Sequence, residues 1–139
     1  MSPPPADRPT VVAAPPCIMV VEDSPALNRL LAEAFREAGC EVVQAFDGLQ
    51  AFELAREHRP GVILLDLDLP RLYGQVVMRS LQRDPATADT KVVILTAHPE
   101  LLREDDRAAA FAILHKPADL DDIMRAVRAA LREPVGRSG

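Results

Sequence analysis

The chain has 139 residues, 48% of them apolar, and a net charge of −5. That is enough for one compact domain with short tails and hardly for two. The acidic balance argues against a nucleic-acid-binding face, no apolar run approaches the roughly 20 residues of a membrane span, and no leader-like segment opens the chain.

Residues 1–16 hold six of the 13 prolines and offer no periodic apolar face, so a disordered tail is expected there. Cys17 to Val21 is an apolar run that ends in acid, a buried strand. Ser24 reads as a helix N-cap with Pro25 at the first helical position. Leu27, Leu30, Leu31, Ala34, Phe35 and Ala38 recur at helical spacing, and Gly39 closes that helix. Glu41 to Ala45 is a second strand. A helix carrying Leu49, Phe52 and Ala55 or Arg56 stops before Pro60. Val62 to Leu65 is a third strand, apolar throughout. A helix around Gln75–Gln82 follows, then a fourth strand, Val92 to Leu95. Residues 100–110 are weakly helical, and Ala112 to Leu114 is a fifth strand. Asp119 caps a last helix whose face is Leu120, Ile123, Met124, Val127 and Leu131. Residues 133–139 form a short C-terminal tail.

Strand and helix thus alternate five times, and three strands are apolar without alternation. Both features predict a doubly wound α/β domain over 17–132, a parallel sheet with helices on both faces. Ligand sites in such sheets lie at the carboxyl ends of the strands. Those ends read Glu22-Asp23, Asp66, Thr96-Ala97 and Lys116-Pro117. An apolar strand that runs into a carboxylate needs a partner for it, and three clustered carboxylates call for a counter-ion. Hard oxygen ligands favour magnesium. Of the 16 basic residues only Lys91 and Lys116 are lysine. A compact ammonium kept at a strand end, where the chain otherwise uses arginine, suggests a confined site. Cys17 and Cys40 show no metal or CxxC pattern and are expected to be small buried thiols. No metal spacing links His58, His98 and His115, and the first and last read as structural.

At these residues the chain resembles the response-regulator receiver domains of two-component signalling, of the stand-alone, chemotaxis-regulator-like kind. Ile63 to Gly74 looks like their phosphorylation segment, with Asp66, Pro70 and Gly74 in the family's spacing. Glu22-Asp23, Thr96-Ala97 and Lys116-Pro117 match its acidic, hydroxyl-small and lysine-proline pairs. Four motifs in order on the right elements carry the resemblance over about 17–132. It implies a flavodoxin-like (βα)5 three-layer sandwich with strand order 2-1-3-4-5. It also implies a cytoplasmic single-domain regulator that accepts a phosphoryl group from a histidine kinase or histidine phosphotransfer protein. Such a module signals by binding an unknown protein target or by phosphorelay, without nucleic acid or membrane, and has no enzymatic activity beyond self-catalysed phosphotransfer and dephosphorylation.

By the same resemblance Asp66 is the phosphoacceptor. Asp23, Asp66 and the main-chain carbonyl of Asp68 bind Mg2+, with Glu22 acting directly, through water, or only as a solvated neighbour. Thr96 and Lys116 meet phosphoryl oxygens, and Ala97 leaves room for the entering group. Asp68 and His98 tune the phosphoryl lifetime, and Pro117 follows a cis bond. The chain departs from the family twice. Ile113 stands where the family usually has an aromatic switch residue; Phe111, on the same side of the strand, is not the matching position. Thr96 to Lys116 is also shorter than typical, so the fourth helix is expected to be short or mobile and the output face unusual. Two other readings compete: a haloacid-dehalogenase-type phosphatase, whose motif normally sits on the first strand, and a receiver-like module that is never phosphorylated. Dinucleotide binding lacks its GxGxxG.

Overall fold

The computed structural model describes residues 14–69 and 74–133. Most of both expected tails, and Pro70 of the phosphorylation segment, lie outside the described residues. Five strands, β1 (Cys17–Val21), β2 (Glu41–Ala45), β3 (Val62–Asp66), β4 (Lys91–Thr96) and β5 (Ala112–His115), form one parallel sheet in the order β2-β1-β3-β4-β5. Between and after them run α1 (Pro25–Glu37), α2 (Gly48–His58), α3 (Gly74–Arg83), a 3-10 turn (Pro99–Leu101), α4 (Glu104–Ala109) and α5 (Leu120–Arg132).

The unbroken apolar runs are explained by position. β3, in the centre, is buried at all five residues, whereas the edge strands β2 and β5 are only partly covered. Alternation divides each central strand between two cores. Met19, Val21, Ile63, Leu65 and Ile94 pack with α2 and α3, and Ile18, Val20, Val62, Leu64, Val93 and Leu95 pack with α1 and α5.

The helix ends follow local chemistry. Ser24 Oγ accepts from Leu27 N, Asp47 from Gln50 N and Asp119 from Asp122 N. Gly39 takes the positive φ (94°) that releases the chain after α1. The expected helix faces are narrower than their periodicity. Leu27, Leu30, Leu49 and Leu120 are exposed, while α1 buries Leu31, Ala32 and Phe35, α2 buries Ala51 and Ala55, and α5 buries Ile123 and Val127. The fourth helix is six residues long, as short as expected. Its Asp106 is buried, caps the Arg103 N–H and faces Arg79 of α3. Cys17 and Cys40 are free but only half-buried, because both lie at the amino-terminal rim of the sheet. Lys91 donates to the Glu133 carbonyl and ties β4 to the end of α5.

Candidate functional site

The register builds the site. Val21 pairs with Leu65, Asp66 with Leu95 and Thr96 with His115. Glu22, Asp66, Thr96 and Lys116 therefore emerge at one edge of the sheet. β1 and β3 are neighbours whose chains leave in opposite directions across the sheet, which makes the crevice between their ends the switch point. Carboxylate oxygens of Glu22, Asp23 and Asp66 all lie within 4.8 Å of one another there. Three hard-oxygen donors in that space fit a small divalent cation.

Asp66 is 3% exposed. Its Oδ1 accepts from Lys116 Nζ at 2.8 Å and from the Asp68 N–H at 2.8 Å. Glu22 is also buried, so it is not a solvated neighbour. Its Oε2 accepts from the Ser24 N–H at 3.0 Å. Burial, with Asp66 and Asp23 beside it, pushes the Glu22 carboxyl up to about 7 despite that hydrogen bond. Asp23 is exposed, at the mouth of the crevice. Burial disfavours the Lys116 ammonium, but Asp66 and Asp68 outweigh this and hold its pKa above the ordinary lysine value.

Asp68 turns its carboxylate towards β4. Oδ1 accepts from Thr96 Oγ1 at 3.1 Å, Oδ2 accepts from the Ala97 N–H at 2.9 Å, and Lys116 Nζ lies 3.3 Å from Oδ2. These donors outweigh partial burial and lower the Asp68 pKa. Leu67 N donates to Leu95 O, and buried Leu67 and Leu69 pin the loop on either side of Asp68. The peptide before Pro117 is cis. His98 contributes its backbone, whose N–H donates to Thr96 Oγ1, while its imidazole is exposed, 3.5 Å from Glu100. Ile113 is half-buried and packs on the α2–α3 side of the sheet; Phe111 lies just outside β5, exposed.

One residue escaped the sequence reading. Asn28 of α1 is completely buried; its Nδ2 donates to the carbonyls of Glu22 and Ala45, each at 3.0 Å, and its Oδ1 accepts from Gln44 Nε2 at 2.9 Å. It positions the turn that carries Glu22 and Asp23. The available signal was a polar side chain in register with Leu31, Ala32 and Phe35 on the core face of the helix.

The family model described as the response regulator receiver domain matches residues 18–128. The chain is 37% identical over 122 residues to the DNA-binding dual master transcriptional regulator RpaA of Synechocystis sp., a match that covers 84% of this chain and 49% of that protein. It is 32% identical over 113 residues to sporulation initiation phosphotransferase F of Bacillus subtilis, covering 80% of this chain and 90% of the relative. Among solved structures, the receiver domain of a sensor histidine kinase from Pseudomonas aeruginosa, with a magnesium ion coordinated in its active-site cleft, superimposes with a TM-score of 0.76 at 25% identity, covering 86% of this chain and all of that one.

A parallel sheet with an acid-lined crevice at its switch point defines the class: a receiver-type signalling module of two-component systems. The chain belongs to the response regulator receiver domain family. The dehalogenase-type reading gives way to it, since Asp66 ends the third strand and, among the described residues, no later strand ends in an acidic pair. The chain spans only about half the length of the Synechocystis relative. Among the described residues no helix is long and apolar enough to cross a membrane.

Proposed function

We propose that Asp66 accepts a phosphoryl group from the phosphohistidine of a sensor kinase or histidine phosphotransfer protein, and that the phosphorylated chain then binds a protein target or passes the group on. The observation that carries this reading is the convergence of a buried carboxylate, an ammonium, a hydroxyl and a main-chain N–H at one crevice. In the reaction an Asp66 oxygen forms a bond to phosphorus as the phosphorus–nitrogen bond of the donor breaks, and the donor imidazole, already protonated on its other ring nitrogen, takes the electron pair of that bond and leaves as the neutral base. Such transfers need positioning and charge neutralisation more than covalent help from the protein. Lys116 Nζ, Thr96 Oγ1 and the Ala97 N–H are the donors available to the phosphoryl oxygens, and the Ala97 methyl leaves them room.

Glu22, Asp23, Asp66 and the Asp68 carbonyl are the residues that would hold magnesium. Bound there, the ion would neutralise charge shared by Asp66 and the incoming group. Glu22 must be deprotonated to serve, so magnesium affinity is expected to strengthen as pH rises and to level off above about 7. Calorimetric titration across that range checks this, and Glu22→Gln should flatten the profile. The stability consequence has the opposite sign. The folded protein holds the Glu22 proton more tightly than a free carboxyl of 4.5, so without a cation stability falls as pH rises from there to about 7.

The donor assignment is tested by incubating the chain with a labelled histidine phosphotransfer protein and magnesium. Label should move to this chain and stop moving when the metal is chelated. Transfer at the same rate in chelator would sink the metal role, and no transfer from any histidine donor would sink the partner class.

A further inference from the structure

The three donors proposed to receive a phosphoryl group already hold an anion. Thr96 Oγ1 (3.1 Å), the Ala97 N–H (2.9 Å) and Lys116 Nζ (3.3 Å) all meet the carboxylate of Asp68, which thereby bridges the loop after β3 to the loop after β4. A carboxylate with two oxygens in charge-assisted contacts is a fair copy of two phosphoryl oxygens. Its side chain is 30% exposed, whereas that of Asp66 is 4% exposed. The Asp68 backbone is fixed independently, by its own N–H to Asp66 Oδ1 and by buried Leu67 and Leu69 on either side. The side chain can therefore swing into solvent without remodelling the loop.

We propose that the Asp68 carboxylate is a resident occupant of the phosphoryl seat, which must be displaced from Thr96, Ala97 and Lys116 before a phosphoryl group can settle on Asp66. The inference rests on Asp66 being the phosphoacceptor. It goes further in two respects. The rate of uptake is limited by the fraction of molecules in which Asp68 has swung out. Displacement also cuts the tie between the two loops, so arrival of the group is felt at Ala97 and His98 without an aromatic side chain at position 113.

The test follows phosphoryl uptake from acetyl phosphate in magnesium, by intact mass against time, in the wild-type chain and in Asp68→Ala. It also records the Ala97 amide resonance of each unphosphorylated protein. If the seat is open in a tenth or less of resting wild-type molecules, uptake by the variant is faster by about ten-fold or more. Its Ala97 amide should move upfield, having lost a carboxylate partner. Unchanged or slower uptake overturns the proposal and leaves Asp68 a structural brace. Faster uptake with an unmoved Ala97 amide also overturns it, since the gain then comes from removing a negative charge and not from vacating the donors. The absence of any adduct in either protein overturns the phosphoacceptor reading itself, an outcome distinct from two adducts formed at equal rates.

Discussion

Lys116→Ala is expected to slow phosphoryl uptake by about a hundred-fold or more, the usual cost of losing one preorganised donor to developing charge. Lys116 Nζ is 2.8 Å from Asp66 Oδ1 and 3.3 Å from Asp68 Oδ2, and among the described residues no other cation is within ion-pair distance of Asp66. Its removal leaves a nearly buried carboxylate beside Glu22 and Asp23, with the Asp68 N–H as its one remaining donor among the described residues. Stability should fall by about 1–3 kcal/mol in the absence of metal, the penalty for a buried acceptor that has lost its main partner. Magnesium should bind more tightly, because a competing positive charge has gone from the crevice. Slower uptake together with tighter metal binding is a signature that simple misfolding does not produce. Lys116→Arg is expected not to restore the rate, since a broad planar fork replaces a point charge at the same strand end. Rates within about three-fold of wild type, a difference well under 1 kcal/mol in the barrier, would remove Lys116 from the mechanism.

Asn28→Ala is the second large effect, and it acts at a distance from the transferred group. Asn28 joins α1 to the carboxyl ends of β1 and β2 through three hydrogen bonds, wholly out of solvent. The alanine variant leaves the Glu22 carbonyl without that donor and opens a small cavity. Together these cost about 2–4 kcal/mol, measurable by chemical denaturation. The turn that presents Glu22 and Asp23 is then less well held, so magnesium affinity should drop as well. Asn28→Asp keeps the shape but sets acceptor against acceptor and adds charge beside three acids, so it should be at least as damaging. Wild-type metal affinity in a destabilised Asn28→Ala protein would show that the residue serves the fold alone.

These two residues mark how far the sequence could be read. The strands were legible because a buried parallel strand is an apolar run, and Val62–Leu65 could be little else. Asp66 was legible because a charge straight after such a run is expensive without a purpose. Lys116 stood out against a chain that otherwise uses arginine. Asn28 was not found, because a lone polar residue in an amphipathic helix reads as solvated until the carbonyls it serves are known, and one of those belongs to Ala45, 17 residues on. Asp68 was expected as a metal ligand through its main-chain carbonyl and, at the mouth of the site with His98, as a residue that sets the phosphoryl lifetime. That its carboxylate would reach Thr96 and Ala97 depended on the loop between Leu67 and Leu69, which no local pattern encodes. Helical periodicity likewise gave the spacing of Leu30 and Leu120 but not the direction they face; both border an open groove between α1 and α5, away from the core. Asp106 ends the acidic stretch Glu104-Asp105-Asp106, and the packing of α4 against α3, where it faces Arg79, buries it.

The most direct measurement is the intact mass of the chain after incubation with magnesium and a small phosphodonor, beside Asp66→Asn treated in the same way. The wild-type protein should gain a single phosphoryl group and the variant none. No gain in the wild type, or an equal gain in Asp66→Asn, would contradict the assignment of Asp66 as the acceptor.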